Sequence, residues 1–414
     1  MLSFYFPAFI AVFLTIGMIF YPKEAFEASL NGLAIWWNIV FPALLPFFIF
    51  SQLLIGLGVV HFLGVLLEPV MRPVFNVPGA GSFVMAMGLA SGFPIGAVLT
   101  TKLREDNLCN KVEAERLMSF TNTADPLFMF GAVAVGMLHA PGTGMIIALA
   151  HYLSSFSVGL AMRFYRGGEK NRAKEKTRLK QEYGMARRAL KALVEARQKD
   201  NRPFGKMLGE AVTESVSTLL LIGGFIMLFS VILTMLDLFG VLSVIVPLTS
   251  KMLGLIKMDP SLSPAFIRGL FELDLGCQMA GSLQNIAMDE RIIAVGIIIA
   301  WSGLSVHAQV ASIISSTNIS IVPYLFARVL HAILAGIYTA LLLGPLQIPW
   351  ATEVLSQQVF LQTVPRGGMP YFYERTIFMG ARFLLILLIL FVLSLLIYFT
   401  KRIITKKIKV LHFN

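Results

Sequence analysis

Three carboxylates stand in surroundings that give an acid little water. Asp125 lies well inside an apolar stretch, while Glu272 and Asp274 sit two residues apart in another, close to Gly276 and Gln278. An ionised aspartate at bilayer depth costs about 2.5–3.5 kcal/mol on insertion scales, so each of these should face protein, water or a cation. Asp125 suits proton or sodium coupling. It equally suits the capping of a helix break, shared with Asn122, just before Pro126. Glu272 and Asp274 do not share a face of a regular helix, so joint action on a substrate donor or cation requires an unwound turn. The competing reading pairs Glu272 with Arg268, one turn back. Ser302, Ser305, Gln309 and Ser312 recur at three- or four-residue spacing and could line one face of a polar path. Serines also join helices to each other. His307 reads as a satisfied interior histidine, and Arg268 and Arg328 as cations that could meet a carboxylate or snorkel to headgroups.

The elements that carry these residues are apolar throughout. The chain has 414 residues, 57% hydrophobic and 14% charged. An ordinary soluble domain is about 25% charged, so the composition places this chain in the membrane class. At roughly 20 residues per crossing, about ten membrane segments are expected in an all-α, polytopic architecture. They are read at 4–20, 33–57, 117–138, 142–164, 212–236, 241–255, 292–314, 319–343 and 377–399. Interrupted or re-entrant segments are read at 79–101 and 265–286. Pro22 should end the first helix, because proline lacks the N–H of the helical ladder. Pro42 and Pro46 should kink the second span without breaking it. The stretch 61–75, with Glu68, Pro69, Arg72 and Pro73, reads as interfacial or broken. The stretch 344–373, with Pro345, Pro349, Pro365 and Pro370, reads as irregular.

Charge divides the chain further. From Arg166 to Lys206 there are 14 basic and 5 acidic residues, and the tail carries Lys401, Arg402, Lys406, Lys407 and Lys409 without an acid. The expected organisation is a first membrane half over 1–165, a basic linker over 166–206, a second membrane half over 207–400 and a basic tail over 401–414. The positive-inside rule puts linker and tail in the cytoplasm. Tyr183, Ala186, Leu190, Leu193 and Val194 have helical spacing among the linker's basic residues, as expected of an amphipathic helix on anionic headgroups. A solvated helical arm fits the same pattern. Basic character confined to one loop and one tail gives no reason to invoke nucleic acid. No phosphate-binding loop, H-E-x-x-H or G-x-S-x-G is present, and Cys109 and Cys277 have no ligand spacing, so neither an enzyme nor a metal or cofactor is expected.

A displacement of 180 residues lays Ser91-Gly92-Phe93-Pro94-Ile95-Gly96 on Phe271-Glu272-Leu273-Asp274-Leu275-Gly276. The same shift lays Thr121-Asn122-Thr123 on Trp301-Ser302-Gly303. Two pseudo-symmetric halves, each with an interrupted segment beside a polar knot, are the strongest sequence pointer to a transporter site. A helix broken inside a membrane exposes N–H groups at one end and carbonyls at the other, and either can hold an ion or a polar solute. Gly92, Asn122, Asp125, Glu272, Asp274, Gln278, Ser302 and Ser305 are the expected substrate-binding residues. A secondary carrier of a small solute is therefore expected. A membrane scaffold recruiting partners through its basic arm is the alternative.

Gly92-Phe93-Pro94 with Gly96-Ala97, Thr121-Asn122 with Pro126-Leu127-Phe128, and Phe271-Glu272 with Gly276-Cys277 resemble the sporulation integral membrane protein YlbJ family. The resemblance covers most of the chain outside the linker and tail. Asp125 and Ile95 depart from the family pattern, which has a small neutral residue at the first position and a smaller or polar one at the second. The resemblance implies nucleoside-recognition Gate domains and a design similar to concentrative nucleoside transporters. It also implies movement of dipicolinic acid, a small aromatic dianion, from mother cell toward forespore across the outer forespore membrane.

Overall fold

The computed structural model describes residues 2–344 except 60, 63–64, 67–70 and 167–184. The expected span at 377–399, the irregular stretch 344–373 beyond Gly344, the basic tail and the first part of the linker lie outside the described residues. Among the described residues every regular element is helical, as the composition required.

Helix α1 runs Leu2–Phe20 and stops at Tyr21, and Pro22 opens α2, Pro22–Ile35. Proline is well placed there, since the first N–H of a helix has no intrahelical partner to lose. The wide turn Trp36–Val40 then leads into α3, Phe41–Gly56, and the path from α2 through α3 bends by 56°. The kink expected from Pro42 and Pro46 is thus present, with Pro46 inside α3.

Helices α4, Gly81–Ser91, and α5, Ile95–Glu105, are separated by Gly92-Phe93-Pro94. Helix α6, Lys111–Thr121, opens with Asn110 and Glu113 capping each other: Asn110 Oδ1 accepts from the Glu113 amide at 2.8 Å, and Glu113 Oε2 accepts from the Asn110 amide at 2.9 Å. Glu113, Glu115 and Arg116 are buried despite their charge, because each finds a partner: Arg72 at 2.7 Å from Glu113, the Tyr165 hydroxyl at 3.1 Å from Glu115, and the Tyr165 and Asn76 carbonyls for Arg116. After the break at 122–125 come Pro126-Leu127, the π-helix Phe128–Met137 and then α7, Gly144–Met162.

The linker contributes α8, Met185–Asp200, followed by the 35-residue α9, Phe204–Leu238, and α10, Val241–Leu255. Helix α8 is amphipathic as expected, but it lays its small residues inward. Ala189 is buried, the Leu193 backbone crosses Gly58, and Leu190 and Val194 point outward. The second half then supplies α11, Ser263–Phe271; α12, Leu273–Ser282; α13, Met288–Trp301; α14, Gly303–Ile314; and α15, Ile321–Leu343.

Stretches long and apolar enough to cross a membrane are Pro141–Met162, Phe204–Leu238, Met288–Ile314 and Ile321–Leu343, with the bent α2–α3 pair a further candidate. Shorter apolar helices include Phe128–Met137 and Val241–Leu255. The long α9 joins the first half to the second. Trp36 seats its indole over Gly223 and donates from Nε1 to the Leu219 carbonyl at 2.8 Å, and Ser230 donates to the Ala28 carbonyl at 2.7 Å. Helices α13 and α15 pack together, as do α7 and α15, so α15 stands between the halves.

Both cysteines are buried and unpaired. In the connector before α6, burial pushes the Cys109 thiol up to about 12. Since the thiolate is the nucleophile, the folded protein at pH 7 should take up no more than about a tenth of the maleimide that the unfolded chain takes. Rapid labelling of folded protein, followed by mass spectrometry, would contradict this packing.

Candidate functional site

The four interruptions occur at Gly92, Asn122, Glu272 and Ser302, so Gly92 and Glu272 lie 180 residues apart, as do Asn122 and Ser302. Each has a local cause. Gly92 adopts φ 74, and a Cβ there would lie 2.6 Å from the Asp125 carboxylate. Only glycine meets both demands. Asn122 leaves the helix at φ −88, ψ 85, three residues before Asp125 accepts a hydrogen bond from the Phe128 amide at 2.8 Å. Glu272 is fully extended at φ −143, ψ 122, and its carboxylate lies 3.4 Å from the Asp274 amide at the start of α12. Ser302 takes the left-handed conformation at φ 73, followed by Gly303 at φ 78.

The breaks pack on each other in pairs. Gly88 and Gly96 bring α4 and α5 against the carbonyl of Thr121, and Gly96 also meets the Asn122 backbone. In the second half, a Cβ on Gly303 would lie 3.0 Å from the Phe271 carbonyl and 3.1 Å from Glu272 Cα. A Cβ on Gly276 would lie 3.0 Å from the Ala265 carbonyl, eleven residues earlier. In a continuous helix those residues would be about 16 Å apart along the axis, so α11 and α12 fold back on each other. The interrupted segment is therefore a helical hairpin.

Where the two pairs meet, a cavity of about 50 Å³ opens, lined by Asp125, Glu272, Asp274, Ser305 and Gln309 on its polar side. Phe93 and Phe128 flank the first half's contribution, while Val40 from the wide turn, Leu44 and Phe48 from α3 and Ile222 and Phe225 from α9 close it. The helix beginning at Pro126, α12 and α14 all present their N-terminal turns here, two of them capped by a carboxylate. Helix N-termini carry a partial positive charge and acids offset it, which accounts for Asp125 and Glu272 together. Asp125 caps the break, as one of its two readings expected, and it also lines the cavity. The unwound turn needed by Glu272 and Asp274 exists, and the Ser305 hydroxyl lies beside Glu272. Arg268 forms no ion pair with Glu272 among the described residues.

The remaining expected residues do not line the cavity. Gly92 packs behind Asp125. Asn122 is fully buried and donates to the Tyr324 hydroxyl at 2.8 Å. Ser302 is buried at the break itself, and Gln278 stands one turn beyond Asp274 on α12. Asn122 Oδ1, Asp274 Oδ1, Gln278 Oε1 and Ser302 Oγ are buried without a hydrogen-bond partner in the described structure. The serine stripe divides: Ser305 and Gln309 face the cavity, whereas Ser312 is exposed.

Arg328, expected to meet a carboxylate or to snorkel to headgroups, does neither. It is wholly buried, in none of the described ion pairs, and belongs to a cluster on α15 whose other members, Tyr324 and His331, sequence reading missed. Tyr324, Arg328 and His331 share one face at four- and three-residue spacing, and all are wholly buried. His331 Nε2 lies 3.0 Å from the His151 carbonyl, and His151 Nε2 accepts from the Ala124 amide at 3.1 Å. His151 and His331 are again 180 residues apart, a signal that the displacement of the sequence already contained.

Broken helices in contact around a cavity that holds three carboxylates, inside an apolar helical body, fit an α-helical integral membrane protein. A family model described as Gate, nucleoside recognition, matches residues 38–141, which includes the first pair of breaks. The chain is 47% identical over 339 residues to the sporulation integral membrane protein YlbJ of Bacillus subtilis (strain 168), covering 82% of each. It therefore belongs to the YlbJ family of sporulation integral membrane proteins. An uncharacterised protein of Alkalihalophilus pseudofirmus is 33% identical over 102 residues, 23% of this chain and 21% of that one.

Proposed function

We propose that this chain is a secondary carrier or facilitator, not an enzyme, and that the four breaks form its solute site. The observation that carries this reading is the convergence of acid-capped helix ends from both halves on one cavity. The two halves are related by pseudo-symmetry, which the repeated 180-residue spacing supports. The solute is small and polar or anionic. In the setting implied by the family it is dipicolinic acid, moved from mother cell toward forespore across the outer forespore membrane.

The cavity's acids constrain that proposal. Like charges at about 4 Å repel by about 4 kcal/mol even at an effective dielectric of 20. A dianion therefore enters beside Asp125, Glu272 and Asp274 only with protons or sodium ions to neutralise them, which makes coupled movement the natural consequence. A cavity of about 50 Å³ holds a few waters and is too small for an aromatic dicarboxylate. Transport requires α3 and α9 to part from the interrupted segments.

A nucleoside is the second candidate solute, favoured by the match to the nucleoside-recognition family over 38–141. Uptake of labelled dipicolinate and of labelled nucleosides into proteoliposomes separates them. Saturable dipicolinate uptake that rises with an imposed proton or sodium gradient is expected. Preference for nucleosides would reassign the substrate. No uptake of either would leave a membrane scaffold, whose function should depend on 169–200. The linker and tail are assigned to the cytoplasm by charge, where exposed Arg187 and Lys191 with Leu190 and Val194 suit anionic headgroups.

A further inference from the structure

Arg328 lies in α15 and is wholly buried, yet among the described ion pairs none includes it. A cation held that deep needs compensation from somewhere. Its Nη2 donates to the Ser119 carbonyl at 2.8 Å, its Nη1 lies 3.5 Å from the Ala300 carbonyl, and its guanidinium stands 5.2 Å from the centre of the Tyr324 ring. Ser119 is in the last turn of α6 and Ala300 in the last turn of α13. These are the two helices that stop at Asn122 and Ser302. The last carbonyls of a helix have no intrahelical partner and carry the negative end of its dipole. One guanidinium thus answers two helix C-termini, one from each half. Tyr324, one turn earlier, adds a second tie through its hydroxyl to Asn122, and its ring meets His307 edge-on at 5.7 Å.

We infer that Arg328 is a positioning residue that joins the carbonyl ends of the two broken helices and thereby sets the gap in which the opposing N-terminal turns form the cavity. Acids serve the N-terminal ends of the breaks and a single shared cation serves the C-terminal ends. A guanidinium is planar and forked, so it can reach carbonyls on two helices. An ammonium carries its three donors on one nitrogen and lacks the planar fork, so it cannot hold two carbonyls at the spacing the guanidinium sets.

The transport arm of the test rests on the carrier reading, and the distance arm does not. Arg328→Lys keeps the buried charge but loses the fork. In proteoliposomes it is expected to raise the half-saturation concentration for dipicolinate about tenfold with the maximal rate within about twofold, because the site is misplaced and not missing. A residue that only supports folding would lower the maximal rate and leave half-saturation unmoved. Spin labels at exposed Val98 on α5 and Leu304 on α14, two helices in contact from opposite halves, report how the breaks of the two halves are spaced. Their distance distribution should be narrow in the parent protein and broadened or displaced in Arg328→Lys. Tyr324→Phe removes only the hydroxyl that accepts from Asn122. It should give the same signs with smaller changes, and it keeps the test open if Arg328→Lys does not fold. Unmoved half-saturation with an unmoved distance distribution in these variants overturns the inference. Failure of the parent protein to move any solute overturns the carrier reading alone, since the label distances do not depend on transport.

Discussion

Glu272→Gln is expected to lower solute uptake on the order of a hundredfold while leaving the protein folded. The glutamine side-chain oxygen can still accept from the Asp274 amide, so the start of α12 keeps its cap and the break keeps its extended conformation. What disappears is the charge, and with it the partner for any proton or sodium ion that accompanies the solute. Asp125→Asn should act in the same direction, because its oxygen can continue to accept from the Phe128 amide. The measurement is initial uptake rate in proteoliposomes, normalised to correctly folded protein by size-exclusion chromatography. Uptake at the parental rate by both variants would remove the cavity from the transport path.

The second large effect concerns assembly. A Cβ on Gly88 would collide with the Thr121 carbonyl, a backbone atom that cannot swing aside. Gly88→Leu should therefore separate α4 from α6 and leave the first pair of breaks unsupported. Overpacking of a close contact costs about 1–3 kcal/mol or more, a large share of the roughly 5–15 kcal/mol that holds a domain together. Loss of most monodisperse protein is expected. Gly224, in the middle of α9, has nothing within 4 Å of its Cβ position among the described residues. Gly224→Ala should be neutral or stabilising by up to about 1 kcal/mol through helix propensity. Equal behaviour of the two variants in a thermal-denaturation assay would contradict the close approach of α4 to α6.

The site combines two kinds of requirement. Glycines at 88, 96, 276 and 303 let backbones approach until one break touches another. Acids then stabilise the exposed N-terminal turns, and Arg328 and Tyr324 hold the carbonyl ends. Membership of the YlbJ family, with a nucleoside-recognition match over 38–141, agrees with a site for a small solute. Three carboxylates, Asp125, Glu272 and Asp274, line the polar side of its cavity.

Local sequence determined the helical, membrane-embedded class, because apolar runs of about 20 residues in a chain 57% hydrophobic and 14% charged satisfy their backbone away from water by coiling into helices. It also determined where the helices break. Gly92-Phe93-Pro94 and Asn122 with Pro126 disfavour a continued helix by their own conformational limits, and the 180-residue displacement carried the same positions to Glu272 and Ser302. Tertiary structure decided which of those residues face one another. Asp125, Glu272, Asp274 and Ser305 share a cavity, whereas Asn122 turns to Tyr324 and Gln278 stands apart. It also buried the charged Glu113, Glu115 and Arg116, and it closed the cavity with apolar side chains from α3 and α9. The physical reason is range. Helix breaking is decided by a residue and its immediate neighbours, while the direction of a buried polar group is decided by whichever distant partner satisfies it, and no local pattern records that partner.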